Sequence, residues 1–347
     1  MTNFIDTTIL IVGGAGFVGS NLARLLLLEK PAKIIIIDNL ISSDIRNIPK
    51  STKVEFHCGS VNDQRILAKL PQKIDFIFHL ACYHGNQSSI ADPFADHTNN
   101  TLSSLSLFDF VANNISVQKV VYAAAACAVA EKTYDKPSVT TEDQPISLYH
   151  DSPYSISKII GELYGNYYFQ RENLPFVKAR FSNVYGPGEI LGAGQWRGTI
   201  HTVWRNVIPS FIWKSLNKES LPLDNGGNTS RDFIFVEDMA RGLMACASKG
   251  TPGEVYNLAT GRETSILDIA NMINAITGNS VPPTIEPPRD WDRSGKRYAS
   301  IEKSKNFLGF EANVNVKLGL EKTIQWTLNN GEIISENIKR HSEHIKS

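Results

Sequence analysis

A glycine-rich turn, Gly13-Gly-Ala-Gly16-Phe17-Val18-Gly19, lies between a β-branched apolar run, Thr8-Ile-Leu-Ile-Val12, and a helical stretch, Asn21 to Glu29, that stops before Pro31. With no side chain at positions 13, 16 and 19, backbone amides at the head of a helix can close on a phosphate, and the helix dipole favours that anion. The turn therefore constrains the chain to a strand–loop–helix unit. A second strand-length run, Lys33-Ile-Ile-Ile-Ile37, ends on Asp38, an acid placed to accept hydrogen bonds from an adenosine ribose and to repel a 2′-phosphate. Tight packing of a helix on a strand would use the same glycines; the acid that follows in order separates the two readings. Together they define a dinucleotide site and favour NAD over NADP.

Further apolar strand-length runs occur at Val54 to Cys58, Ile74 to Leu80, Val117 to Ala123 and Phe176 to Phe181, and long helices are expected over Asp96 to Ala112 and Pro153 to Glu172. Strands alternating with helices mean a parallel sheet covered on both faces. The expected fold is α/β, a Rossmann-type doubly wound parallel sheet with a smaller α/β substrate-binding domain. A length of 347 residues suits about two domains. Residues 186–232, rich in Gly, Pro, Asn and Trp, are expected to be irregular and to line a pocket. Phe233-Ile-Phe-Val236 and Glu254-Val-Tyr-Asn-Leu258 read as strands returning to the sheet, so the domains interleave. Residues 1–181, with return segments at about 233–260, form the dinucleotide domain; residues 182–232 and 261–347 form the substrate domain. Arg340 to Ser347 is expected to fray.

Charge restricts the ligands. The chain has 35 basic and 35 acidic residues, so no basic field is available to attract nucleic acid or an anionic membrane surface. Its apolar runs fall short of a membrane span. Cys58, Cys82, Cys127 and Cys246 have no CxxC or metal-ligand spacing, which points to a reduced, cytoplasmic protein with no metal site.

The chemistry is carried by Tyr154-Ser-Ile-Ser-Lys158. At four-residue spacing on a helix both side chains share one face, so the ammonium can stabilise the tyrosine as phenolate and reach a ribose. A phenolate near neutral pH is a general base for an alcohol. Of eleven tyrosines, Tyr154 is the one followed by Lys at this spacing. A solvated surface pair has the same spacing, and the dinucleotide site gives the pair its meaning.

With these motifs the chain resembles the extended short-chain dehydrogenase/reductase family, in particular its nucleotide-sugar epimerases and dehydratases. The resemblance extends through Asp38-Asn39-Leu, Phe78-His-Leu80-Ala81, Asp92-Pro93, Asn99, Pro153 to Lys158, Ala179-Arg-Phe-Ser-Asn183-Val-Tyr-Gly-Pro187, Asn206-Val-Ile-Pro209 and Ser230-Arg231-Asp-Phe-Ile-Phe-Val-Glu-Asp238. It implies that Phe17, Val18, Asn39, Ser60, Val61, Leu80, Ala81 and Asn99 join the glycines, Asp38, Tyr154 and Lys158 around NAD. It also implies that Asn183, Asn206 and Arg231 hold a nucleotide diphosphate through amide and guanidinium donors. Ser89 and His84 become sugar-contact candidates, with a solvated loop as the alternative. Arg297 falls near the position that limits the sugar pocket, where a guanidinium could pair with a sugar carboxylate. The implied reaction is NAD-dependent epimerisation at C4 of a UDP-hexose or UDP-uronic acid through a keto sugar, in a homodimer built from the two long helices.

Three departures qualify the resemblance. Ala125 stands where the family's catalytic Ser or Thr belongs, and Ala126 and Cys127 stand where 4,6-dehydratases keep Asp and Glu. Elimination and decarboxylation thereby lose their acid/base. Cys127 itself has three readings: a packing residue, the acid/base thiol of a GDP-sugar 3,5-epimerase or a reductase, or a hydrogen-bond substitute for the missing hydroxyl. Ser60 replaces an adenine-binding Asp. Ala125 also leaves open a binder of NAD and nucleotide sugar without turnover. The segment Glu189 to Arg197, with Trp196, either walls the sugar pocket or packs.

Overall fold

The structure is a computed structural model that describes residues 4–126, 138–289 and 295–345. Cys127 lies outside the described residues. Seven parallel strands form the central sheet: β1 (Thr8–Val12), β2 (Lys33–Asp38), β3 (Val54–Cys58), β4 (Lys73–His79), β5 (Ser116–Ala125), β6 (Phe176–Phe181) and β7 (Val255–Leu258), in the order 7-6-5-4-1-2-3. Ile9 pairs with Ile34 of β2 and with Phe76 of β4, which places the reversal of strand order between β1 and β4. In such sheets the crevice outside the carboxyl ends of the strands at this reversal is where ligands bind.

Continuous apolar strands follow from burial on two faces. Ile9, Ile11, Ile34 and Ile36 face one core with Leu22, Ala23 and Leu26 of α1 (Phe17–Leu28). Leu10, Val12, Ile35 and Ile37 face the other with Leu107, Phe108 and Val111 of α2 (Ser103–Asn114). The period-two alternation thus divides an unbroken run of isoleucines between two layers. The first helix begins at Phe17, four residues before the expected Asn21, directly after Gly16 as its cap. Ahead of α2 the chain is already helical from Pro93, passing through wide π-type turns over His97–Leu102.

Helix α3 (Pro153–Glu172) has the expected bounds. Ser152 caps it by accepting from Ser155 N, Pro153 occupies its first position, and Asn173 ends it with a left-handed φ of 56°. Its seating on the sheet is specific. Glu162 takes a buried two-pronged contact from Arg180 of β6, at 2.9 Å on both arms. A Cβ at Gly165 would overlap the ring of Phe176, so glycine there lets the helix lie close to β6.

A second core covers the carboxyl ends of the strands. Ile208, Phe211 and Ile212 of α4 (Val207–Leu216) pack with Phe233, Phe235, Ile269, Ile273 and Leu320. Residues 186–232 therefore contain a ten-residue helix rather than an irregular segment throughout. Pro209 is the third residue of α4, where a backbone N–H has no intrahelical acceptor, so the ring breaks nothing. Helix α5 (Val236–Lys249) returns to the α1 face through Met239, Ala240, Leu243 and Cys246. Helices α6 (Ile266–Thr277) and α7 (Val316–Asn329) complete the second core. Short parallel pairs, Asn183–Tyr185 with Phe233–Phe235 and Ser138–Thr140 with Arg297–Ala299, tie the two parts together.

The end of the chain does not fray as expected up to Ile345. After α8 (Gly331–Arg340), His341 is buried with Nε2 2.9 Å from the Gly192 carbonyl, and His344 stacks on Trp196 with ring centroids 4.5 Å apart. The buried His341 and the stacking of the exposed His344 on Trp196 hold a polar segment against a distant loop. Among the described residues no helix is long and apolar enough to cross a membrane.

Candidate active site

A cavity of about 1280 Å³ joins the carboxyl ends of the central strands to the second core. It is lined by Gly13, Gly16, Phe17, Val18, Gly19, Asp38, Asn39, Ser60, Val61, Leu80, Ala81 and Asn99. Ala125, Ala126, Tyr154, Lys158, His84, Asn183, Asn206, Arg231 and Arg297 line the same cavity. Ser89 does not belong to this lining. It is fully buried, donating from Oγ to Asn86 O at 2.7 Å and accepting from Tyr154 N at 3.1 Å. The structure thus moves Ser89 from sugar contact to support of the backbone at Tyr154.

Gly13 holds a φ of +88°, and a Cβ there would lie 2.5 Å from the amide nitrogen of Ala81. Neither the backbone angle nor the space admits a side chain. Gly16 caps α1 in extended conformation without a side-chain hydrogen bond, so the first amides of the helix face the cavity uncapped by any side chain. Asp38 is buried. Its Oδ2 accepts from Ala15 N at 3.0 Å, and its Oδ1 accepts from Leu40 N at 2.9 Å and Ser43 Oγ at 2.8 Å. Burial raises its pKa while these donors oppose the rise. Asn39 is tied to Asn99, Nδ2 to Oδ1, at 3.1 Å. Ser60 Oγ accepts from Asn62 N at 3.2 Å. A clamped ribose-side acid beside an open glycine turn fits an adenine dinucleotide.

The first turns of α3 bring Tyr154 and Lys158 together. Lys158 is buried, with Nζ donating to Ala123 O at 2.9 Å and lying 5.8 Å from the centroid of the Tyr154 ring. It also lies 5.2 Å from the centroid of the Tyr122 ring. Tyr154 packs against Ala125 and Ile159, so a methyl group stands where a catalytic hydroxyl was missed in the sequence.

Across the cavity His84 presents its ring edge-on to Tyr154, centroids 5.9 Å apart. Its Nε2 is 3.3 Å from Asn206 Oδ1, and its carbonyl accepts from Arg197 Nη1 at 2.6 Å. Burial, with Arg197 and Arg205 nearby, lowers the His84 pKa to about 4, so the ring is neutral at pH 7. Asn206 Nδ2 donates to Glu189 Oε1. The Asn206 amide is thus engaged at Oδ1 and through one hydrogen of Nδ2, and its second Nδ2 hydrogen remains for a ligand. Glu189 also lines the cavity, and burial raises its pKa to about 7. The sequence left this acid between wall and packing; a lone carboxylate beside Ile190-Leu191 in a glycine-rich segment was the available signal. Arg231 donates from Nη1 to Ser230 O at 2.8 Å and Gly295 O at 2.9 Å, while Asn183 stands at the head of a short strand and lines the cavity.

The doubly wound sheet, the glycine turn with its ribose-side acid, and a Tyr/Lys pair under a second lobe define an extended short-chain dehydrogenase/reductase fold. The chain belongs to the NAD-dependent epimerase/dehydratase family, whose model matches residues 9–259. It is 49% identical to the enzyme WbmF of Bordetella bronchiseptica, solved in complex with NAD+ and UDP, over 99% of this chain and 98% of that one, with a TM-score of 0.89. Epimerase Mth375 of Methanothermobacter thermautotrophicus is 35% identical over 96% of this chain and 95% of its own, with a TM-score of 0.87. The UDP-glucose 4-epimerase of Mycolicibacterium smegmatis is 28% identical over 329 residues, 93% of this chain and 99% of that protein.

Proposed function

We propose that the protein is an NAD-dependent epimerase acting at C4 of a UDP-activated hexose or uronic acid. The observation that carries this reading is the pairing of Tyr154 and Lys158 in one cavity with Ala125 and Ala126. The Tyr/Lys pair can move a proton on a sugar hydroxyl, whereas Ala126, where 4,6-dehydratases keep Asp, offers no carboxyl for elimination. NAD, when bound, supplies the hydride acceptor and donor. Tyr154 takes the hydroxyl proton and later returns it; Lys158 lowers the energy of the phenolate and reaches the ribose. The UDP of the WbmF complex and the 4-epimerase activity named for the mycobacterial relative support a UDP-sugar. Asn183 and Arg231 supply polar donors for the diphosphate, and Arg297 supplies a cation for a sugar carboxylate. Residues 182–232 and 261–347 are assigned to binding the nucleotide sugar.

The same reading includes a cytoplasmic homodimer. Leu102, Ile156, Leu163 and Tyr167 are exposed apolar residues on or next to the two long helices, and pairing those helices would cover them.

The test is incubation of purified protein with NAD and UDP-, GDP- or dTDP-sugars, with product NMR and absorbance at 340 nm. A C4 epimer from a UDP-sugar supports the reading; inertness of the wild type equal to that of Tyr154→Phe, with ligands still bound, refutes it. That second outcome defines a binder without turnover, a reading favoured by the methyl group of Ala125 beside Tyr154.

A further inference from the structure

We propose that Glu189, backed by Asn206 and His84, forms a sugar subsite that takes a neutral hydrogen-bond donor of the substrate, a hydroxyl or an acylamino N–H, on Glu189 Oε2; the inference rests on the nucleotide-sugar reading above.

Glu189 is buried yet borders the cavity. One carboxyl oxygen, Oε1, accepts from Asn206 Nδ2. The other, Oε2, is shielded from solvent and accepts no hydrogen bond among the described residues. A carboxyl in this state is a strong acceptor awaiting a donor, because an unsatisfied buried acceptor is unfavourable. The neighbouring cation does not satisfy it. Arg205 donates from Nη1 to Ser42 O at 2.8 Å and from Nη2 to Ala193 O at 2.6 Å, so its guanidinium is held by carbonyls. The raised pKa of Glu189, near 7, agrees with a carboxyl that lacks an ion-pair partner.

Position ties the acid to the chemistry. Asn206 Oδ1 can only accept, so the facing His84 Nε2 carries the hydrogen, and the neutral ring donates to it across 3.3 Å. Asn206 in turn donates to Glu189. The donors run one way, from His84 through Asn206, and end at Glu189 as acceptor. His84 also packs edge-on against Tyr154, so Glu189 stands two side chains from the catalytic tyrosine. A sugar whose hydroxyl meets Tyr154 occupies the same cavity that Glu189 borders, and a small turn of the buried carboxyl would offer it Oε2. A carboxylate directed at this subsite would bring an acceptor to an acceptor; Arg231 and Arg297, among the basic side chains that line the cavity, offer donors for anionic groups.

The test is calorimetric titration of the NAD-loaded protein with UDP, UDP-glucose, UDP-N-acetylglucosamine and UDP-glucuronic acid, comparing wild type with Glu189→Gln. The amide replaces the acceptor Oε2 by a donor at constant shape. The expected result is UDP affinity within about twofold of wild type, with the best-bound UDP-sugar weakened roughly tenfold or more. An unchanged ratio of sugar to UDP affinity overturns the subsite, as does a wild type that binds no UDP-sugar more tightly than UDP. Should Glu189→Gln lose NAD and UDP binding altogether, Glu189→Asp, which retracts the acceptor by one methylene, is judged by the same ratio. Turnover is read separately: absence of a C4 epimer by NMR sinks the epimerase reading, while the affinity ratios still decide the subsite.

Discussion

Lys158 Nζ sits 5.8 Å from the centre of the Tyr154 ring while donating to the carbonyl of Ala123 at 2.9 Å. One hydrogen bond to the end of β5 anchors the ammonium, and its remaining donors and its charge are available to the phenol oxygen and a ribose. Tyr154→Phe removes the proton acceptor and leaves the packing against Ala125 and Ile159. Turnover should fall by roughly 10²- to 10⁴-fold, the range of general acid–base catalysis, with NAD affinity nearly unchanged. Steady-state rates alongside NAD titration check this; a variant retaining more than a tenth of the activity removes Tyr154 from the reaction.

Asp38 is expected to select the cofactor. Asp38→Asn keeps the size of the side chain, removes the charge and turns one of the two accepting oxygens into a donor that faces a backbone N–H. NAD affinity should weaken by roughly 10- to 100-fold, corresponding to about 1.5–3 kcal/mol for a hydrogen bond to a charged group, and the preference over NADP should narrow. Titration of both cofactors reads the two effects together.

Glu189 makes stability depend on pH. Burial raises its folded pKa from 4.5 to about 7. Between those values the folded state keeps a proton that the unfolded chain has released, so stability falls as pH rises through this window. Glu189→Gln escapes that loss. The variant should match wild type near pH 4 and exceed it above pH 7 by up to about 3 kcal/mol, at 1.36 kcal/mol per pKa unit. Denaturant unfolding at pH 5 and pH 8 measures the difference, and a gap that does not widen with pH contradicts the assignment.

The exposed apolar positions of α3 bear on assembly. Leu163→Glu should leave the monomer folded, since its side chain points to solvent, and should shift the protein from dimer to monomer in sedimentation. An unchanged sedimentation coefficient places any dimer contact elsewhere.

Much of the architecture was legible because its signals are local. The isoleucine run of β2, the glycine turn and the Pro153-to-Glu172 helix each announce themselves within a few residues, and the structure places them as expected. What was not legible depends on distant partners. Residues 186–232 read as irregular, yet Val207–Leu216 is a helix whose apolar face is buried against residues far along the chain. The polar tail looked free, yet His341 and His344 meet Gly192 and Trp196 across the fold. At the site, Ser89 and Asn206 were assigned by position along a motif. Side-chain direction turned Ser89 onto the backbone of Tyr154, and an acid seventeen residues away, Glu189, engaged the amide of Asn206.

The central claim is oxidation and reduction at a single sugar carbon, with hydride leaving and returning on NAD. Incubating the NAD-loaded enzyme with a UDP-sugar deuterated at C4, in ordinary water, and reading the product by NMR tests it most directly. The account predicts a C4 epimer that retains its deuterium at C4, with a parallel incubation in D₂O adding no deuterium to any ring carbon. Loss of the C4 label, or solvent deuterium at C3 or C5, would contradict it and assign the protein a different reaction within its family.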